Sequence, residues 1–545
     1  MTDTPAPQEL FVKNEEGIAI TQEGYEWLSP QVTDVMGDVY AFTGMANPVA
    51  VAASMARLSR NPHDLRKILV SEFGVDTKDA ELLIQRVVSA YGDDSVAQLL
   101  CIPLAVENAS NLLTKQLEWG RLLSYLEQST RYIFFDRRDE QGRYRYHIPT
   151  NLDDETRDVY VTAMDRMFEY YSALVHDLTA YVREQNPRPD KAEDPAGYAG
   201  WVGATRAQAC DAVRSLLPAA TTSTVGVVGS AQGIANLIKH LLSQPLEEMR
   251  SVGWQILEQV RKVAPVFFER VDKFDRDMLD VANRVAVREE FEEIHSGLEV
   301  LGKPGSQPVT LADYWPTAET DLVARMLYAT GLSTDGYSLA ELQNTLEGWS
   351  EAQLKEVMTQ YFGARHNRRI KPGRAIEKAH FEWELIGDYG TFRDLQRHRM
   401  VDAMEWQPLT PHYDYDLPEL IVEAGLVRDF QACMGTSRAL YNYLIEQGLK
   451  HEAQYAICMG YKMRYSFITN LRELFHLLEL RTSPQGHPGY RRLCNLMYDE
   501  LARVYPHSAA AMKFVNRADN LEELTRMAAE RGTEEKLARL KVVNE

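Results

Sequence analysis

The chain has 545 residues, 45% hydrophobic and 25% charged, a globular composition long enough for two or more domains with real cores. Its formal charge of -20 argues against a general nucleic-acid or anionic-membrane binder, because long-range repulsion opposes such partners. Cys101, Cys210, Cys433, Cys458 and Cys494 are odd in number and scattered, a pattern that indicates neither a disulfide framework nor a zinc site and suits a reducing cytoplasm. The N-terminus has no basic-then-apolar leader, and no run reaches the roughly 18 apolar residues of a membrane helix, so a soluble chain is expected.

In chain order, an Ala- and Arg-rich helix is expected at 51–60, followed by a signature segment at 116–132 read as helical. Residues 137–200 then hold an insertion with irregular chain at Asn186, Pro187 and Asp194, Pro195. Within it, alternation at 143–148 reads as a strand. A charged helix over 272–300 leads to the turn-rich break 302–308. Beyond the break the order recurs: an Ala- and Arg-rich helix at 322–330, a strand at 380–386, a signature at 397–405 read as helical, and an amphipathic helix at 469–481. On that last helix Leu471, Leu474, Phe475 and Leu478 form one face, and Arg472, His476 and Glu479 another. Residues 518–545 are charged and helix-prone. The signatures are 278 positions apart (397 against 119) and the later helices 240 (476 against 236). The difference of about forty is the insertion, and a repeat of this length is a duplicated domain, not a solenoid. The fold expected is α+β and helix-rich: a first copy at 1–301, a linker at 302–308, and a second copy at 309–545.

Several polar groups in this frame can carry chemistry. Arg397, His398 and Arg399 place three potential cations together, suited to phosphate or an electron-rich ring; by itself such a triplet also reads as a solvated basic face. The basic stretch 365–377 stands against the acidic total and reads either as a pyrophosphate site or as a solubilising loop. Asn470, Arg472, His476 and Arg481 put an amide, two guanidiniums and an imidazole on one helix, fit to read a flat heterocycle and stabilise its anion, or to lace a surface helix with ion pairs. Glu127, Ser129, Arg131 and Tyr132 suit a nucleotide monophosphate, or a helix end capped by Ser129.

Together these segments resemble the flavin-dependent thymidylate synthases, whose signature runs Gln-x-x-Arg-His-Arg-x-x-Ser and on to Glu-x-Ser-x-Arg-Tyr. The resemblance covers nearly the whole chain as two divergent copies. In the first, Gln116, Arg121, Ser124, Glu127, Ser129, Arg131 and Tyr132 match, and Arg214 stands at a phosphate-contacting position. Trp119 and Gly120 replace the first Arg and the His, Asp93 replaces another His, and Ser230, Gln232 and Leu241 replace Asn, Arg and the terminal catalytic Arg. The second copy keeps Arg397, His398, Arg399, Glu405, Glu377, Asn470, Arg472, His476 and Arg481. It has Asp394 and Asp402 for the signature's Gln and first Ser, Gln407 and Leu409 where the nucleotide loop has Ser and Arg, and Gln454 where the phosphate-contacting Arg would stand.

The resemblance implies an intrachain pseudo-dimer with one hybrid site, and a homodimer that rebuilds a four-domain assembly. FAD would contact Arg397, His398, Arg399, Glu377, Asn470, Arg472, His476 and Glu405. The nucleotide dUMP would contact Gln116, Glu127, Ser129, Arg131, Tyr132, Arg214 and Arg481. Arg481 would be the catalytic residue, methylenetetrahydrofolate and NADPH the co-substrates, and no metal is required. Three readings stand at this point: a synthase or a flavoenzyme modifying another pyrimidine nucleotide, a non-catalytic FAD- or nucleotide-binding relative, and, weakest, a polynucleotide site.

Overall fold

Two stretches of the chain repeat one order of elements at the offsets seen in the sequence. The computed structural model describes residues 10–14, 17–58, 61–73, 77–85, 94–298, 305–330, 336–518 and 532; Asp93, residues 301–304 of the break, and the tail beyond 518 apart from Gly532 lie outside them. The first stretch runs α1 (Pro48–Arg57), β1 (Cys101–Ser110), α2 (Asn111–Leu117), β2 (Leu123–Glu127), α3 (Asp154–Gln185), α4 (Pro195–Val213), β3 (Thr222–Ser230), α5 (Ala231–Leu242), α6 (Glu247–Val263) and α7 (Asp277–Ser296). The second runs β4 (Val309–Trp315), α8 (Leu322–Thr330), β5 (His380–Asp388), α9 (Tyr389–Gln396), β6 (Met404–Trp406), α10 (Val427–Glu446), β7 (Lys462–Asn470), α11 (Leu471–Arg481) and α12 (Pro488–Val504). Helices α2 and α9 start 278 positions apart (389 against 111), and α5 and α11 start 240 apart (471 against 231). Two long helices, α3 and α4, lie between β2 and β3, whereas one long helix, α10, lies between β6 and β7.

The sheets follow from alternation. Phe381, Trp383 and Leu385 of β5 and Met463, Tyr465 and Phe467 of β7 are buried on one face, and the strands run antiparallel in the order β4-β5-β7-β6. The Trp383 indole N–H donates to Thr469 Oγ1 at 3.1 Å, which satisfies the one polar atom that ring buries. Elsewhere β1, β3 and β2 form a three-stranded sheet. Each strand-to-helix junction is capped by a side chain: Asp388 Oδ1 accepts from Thr391 N at 2.8 Å, Asn470 Oδ1 from Glu473 N at 2.9 Å, and Ser230 Oγ from Gly233 N at 3.1 Å. Such caps contribute about 1 kcal/mol each and start the helix directly at the strand end.

Three local expectations are corrected. Neither signature is helical throughout. Helices α2 and α9 stop at Leu117 and Gln396, and the following residues turn into β2 and β6, because ladder pairing with β3 and β7 overrides the helical propensity of Leu and Glu. Residues 143–148 make only an isolated bridge between Tyr146 and Thr221; Tyr144 stacks on Phe168 of α3, so the aromatic alternation serves helix packing. Glu479 does not share the polar face of α11, since it is buried against Arg365.

The chain divides into two compact units that do not follow the two copies: one comprises 1–107, 116–127 and 224–300, the other 108–115, 128–223 and 301–545. The second unit therefore contains chain from both copies. Within it the Pro218 and Cys458 regions meet in an antiparallel bridge. Ala219 N donates to Ile457 O and Met459 N to Leu217 O, both at 2.8 Å, a pair of bonds that the 240-residue offset interchanges. Gly460 packs where an added Cβ would stand 2.8 Å from that of Ser215, so only glycine permits the approach. Helices α3 and α10 pack nearby, with the buried Cys433 and Cys458 thiols against Met167.

Candidate active site

Within the second unit four arginines from distant parts of the sequence converge on Asp394. Arg214 ends α4, and its Nη1 donates to Asp394 Oδ2 at 3.1 Å; the two side chains are about 4 and 5% exposed. Gly390, in the first turn of α9, leaves the passage open, since a Cβ there would stand 3.3 Å from the Arg214 Nε and Nη2. Arg397 Nη2 donates to Asp394 Oδ1, and Arg481 Nη2 to the Asp394 carbonyl. Arg131 adds to the same field. Burial opposes the Asp394 charge, yet Arg397, Arg214, Arg481 and Arg131 outweigh it and hold the carboxyl well below the usual carboxylate range.

Arg131 itself is nearly surrounded. Its Nε and Nη2 donate to both oxygens of Asp211 at 2.6 and 2.8 Å, its Nη1 to the Tyr490 hydroxyl at 3.0 Å, and Nη2 also to the Gln485 carbonyl at 3.0 Å. Burial works against its charge, and Asp211 more than restores it. Tyr490 presents its ring to Arg481 as well, 5.3 Å from the guanidinium carbon.

Arg481 Nε donates to His398 Nε2 at 2.9 Å. That bond sets the tautomer: His398 carries its proton on Nδ1, which donates to Glu473 Oε1 at 2.7 Å. Burial pushes His398 down to about 4, so the ring is neutral at pH 7. Burial would raise Glu473, but hydrogen bonds from His398 and His476 bring it to about 2. His398, Glu473 and His476 are close enough to resemble a metal-binding group. With the His398 Nδ1 proton aimed at Glu473 and a guanidinium on Nε2, the trio reads as a hydrogen-bond relay that steadies Arg481.

The remaining expected residues of the second unit make local contacts of their own. Ser129 Oγ accepts from Arg131 N at 3.2 Å, and Tyr132 is half-exposed. Arg399 is exposed after α9, and Glu405 lies opposite Ser466 on the outer strand β6. Arg472 Nε donates to the Pro372 carbonyl, and its Nη1 lies 3.5 Å from Glu377. Glu377 also takes Arg374 at 3.0 Å, so its carboxylate is an anchor for the basic stretch. Asn470 caps α11, and the His476 ring centre lies 5.3 Å from that of His398.

Gln116 and Glu127 belong to the first unit. There Gln116 Oε1 bonds to His240 Nε2 at 2.7 Å, and Trp119, at the position corresponding to Arg397, stacks on His240 with ring centres 4.1 Å apart. A neutral aromatic pair thus fills the place that corresponds to the arginine cluster; burial, with Arg284, pushes His240 down to about 4. Sequence reasoning named Asp394 only as a departure and missed Asp211, Glu473 and Tyr490. The spacing Asp211 to Arg214 was available as a signal, whereas nothing local marks Tyr490.

Comparison with known proteins completes the picture. The family model described as thymidylate synthase complementing protein matches twice, over residues 42–266 and 310–507. The chain belongs to this family. A "UPF0159 protein" of Chlamydia pneumoniae is 30% identical over 90% of this chain and 94% of its own length. A flavin-dependent thymidylate synthase of Clostridium tetani is 25% identical over 41% of this chain and 82% of its own length, the proportion expected when a single-copy protein meets a double one. A solved UMP/dUMP methylase PolB from Streptomyces cacaoi, bound with 5-Br dUMP, aligns at 17% identity and a TM-score of 0.30 over 37% of this chain and 93% of that one, too loosely to bear on function. Among the described residues no helix is long and apolar enough to cross a membrane.

Three buried histidines make the chain acid-sensitive on physical grounds. Burial depresses His398, His240 and His487 from 6.5 to about 4. The unfolded chain therefore binds protons between pH 6.5 and 4 that the folded chain refuses, and stability falls as pH drops through that window. Glu473, depressed from 4.5 to about 2, extends the loss below pH 4.5. The melting temperature should decline steadily from pH 7 to 4, and a flat profile would contradict the neutral buried imidazoles.

Proposed function

We propose that the chain is a flavin-dependent methylase of pyrimidine nucleotides that converts dUMP to dTMP with methylenetetrahydrofolate and NADPH. The observation that carries this reading is the convergence of Arg131 and Arg214 from the first copy with Arg397, His398 and Arg481 from the second. In this reading the first copy supplies the nucleotide-binding cations, and the second supplies the flavin face and Arg481. The interchanged bonds at Leu217, Ala219, Ile457 and Met459 support an intrachain pair of copies, and two chains would complete a four-domain assembly in the cytoplasm.

The donor set fits a flavin dinucleotide. Arg397, Arg399, Arg472 and His476 lie at least partly exposed around α9 and α11, beside the basic stretch anchored by Glu377, and guanidinium with imidazole suits a pyrophosphate. Bound there, reduced FAD would supply the hydride that follows methylene transfer. The chain's own part is electrostatic. Arg481, held by His398 and Glu473, stabilises negative charge on the pyrimidine ring and raises the nucleophilicity of its C5. Cys494 is no candidate nucleophile, since burial pushes its thiol up to about 12. A cleft of about 210 Å³ with Arg214, Met459, Leu417 and His487 in its walls offers a mixed polar and apolar setting for the ring and sugar.

A second reading, a nucleotide- or flavin-binding relative without turnover, is favoured by one feature: Asp211 already takes the fork of Arg131, and Asp394 takes the Nη1 of Arg214. Absorbance of the purified protein with and without added FAD, followed by titration with dUMP, separates the two. A flavin band shifted by dUMP supports the methylase. Absence of flavin binding removes it in favour of the second reading.

A further inference from the structure

Asp394 is where this chain departs from its family at the centre of the site. The signature has glutamine here, a neutral amide. Here a carboxylate, about 5% exposed, receives Arg214 at 3.1 Å and Arg397 on its other oxygen, with Arg481 on its main-chain oxygen. Guanidiniums that fork onto a single buried anion are the arrangement proteins use to hold phosphate. In this chain the anion is built in. A nucleotide phosphate arriving at Arg214 meets a guanidinium already paired with a carboxylate, and it must approach that carboxylate's charge at close range in a poorly screened interior.

One donor is left over. Arg214 Nη2 is buried and has no hydrogen-bond partner, and Arg214 stands in the wall of the cleft. The cleft wall that includes Arg214 sets apolar Met459, Leu417 and Leu420 beside the carboxylates Asp211, Asp388, Asp416 and Glu419, a lining that suits an uncharged nucleoside better than a dianion.

Resting on the reading of this site as one for pyrimidine nucleotides, we propose that Asp394 stands in for the ligand phosphate. The site recognises the nucleoside part and gains little from a 5′-phosphate, so its ligand class includes uncharged pyrimidine deoxynucleosides alongside their monophosphates. Asp394 is then the residue that sets this specificity, acting on ligand charge directly and through Arg214, the nucleotide-side arginine it pairs with.

The test is calorimetric titration of the full-length protein, saturated with FAD, with dUMP and separately with deoxyuridine. The two dissociation constants should lie within about tenfold of each other, and Asp394→Asn should tighten dUMP at least about tenfold while moving deoxyuridine by less than about twofold. A larger preference of the wild-type protein for dUMP, or an Asp394→Asn protein that folds and gains no dUMP affinity, overturns the proposal while leaving the nucleotide reading intact. Binding of neither ligand to the wild-type protein overturns both. If Asp394→Asn does not fold, the wild-type ratio alone decides.

Discussion

Arg481→Ala is expected to lower turnover by at least about a hundredfold, the scale seen when one preorganised donor is removed from a developing anion, while changing FAD affinity by less than about threefold. The side chain is steadied on three sides, by His398 Nε2, the Asp394 carbonyl and the Tyr490 ring, so its position is fixed before any ligand arrives and no reorganisation is needed during reaction. Arg481→Lys keeps the charge but loses the fork that spans His398 and Asp394, and should recover only part of the loss. Steady-state kinetics with flavin absorbance recorded on the same samples would separate the effects. Wild-type turnover in Arg481→Ala would sink the methylase assignment, and lost flavin binding would move Arg481 from catalysis to cofactor retention.

The second large effect is on stability. Arg365 and Glu479 form an ion pair with side chains 2 and 0% exposed, at 2.8 Å between Nη1 and Oε1. Arg365 also donates to the Ile370 and Ala511 carbonyls and lies over Phe475 at 4.9 Å and Phe514 at 5.4 Å. It thereby ties the basic stretch to the helix that ends in Arg481. Removing either partner strands a buried charge, so Arg365→Ala and Glu479→Ala should each cost about 3–5 kcal/mol in denaturant unfolding. The pair Arg365→Met with Glu479→Leu removes both charges and should cost much less than either single change. If the double variant is as unstable as the singles, the carbonyl bonds of Arg365, not its charge pairing, hold this region.

Much of the fold was legible because its cues are local. Apolar alternation at 380–386 and the helical period at 471–478 are set by neighbours a few residues apart, and both became the expected elements. The two offsets were equally legible, since equivalent helices begin 278 and 240 positions apart. The signatures were misread as helices because their strand state depends on pairing with chain about sixty to a hundred residues away. Glu479 was placed on a polar face because spacing cannot tell a solvated carboxylate from one that meets a buried arginine 114 positions earlier.

The candidate site divides along the same line. Residue types and order alone determined the duplication, the helix-rich α+β class and the split inventory, with Arg131 and Arg214 kept in one copy and Arg397, His398 and Arg481 in the other. Only the tertiary structure decided which of these groups meet. It brought Arg131 to Tyr490 across 359 positions and Arg214 to Asp394 across 180, left Gln116 bonded to His240, and turned Asp394 from a mismatch into the centre of four guanidiniums. The physical reason is that charge compensation acts through space in a buried, poorly screened interior, where the partner of an arginine is fixed by packing and leaves no mark on the residues beside it in sequence.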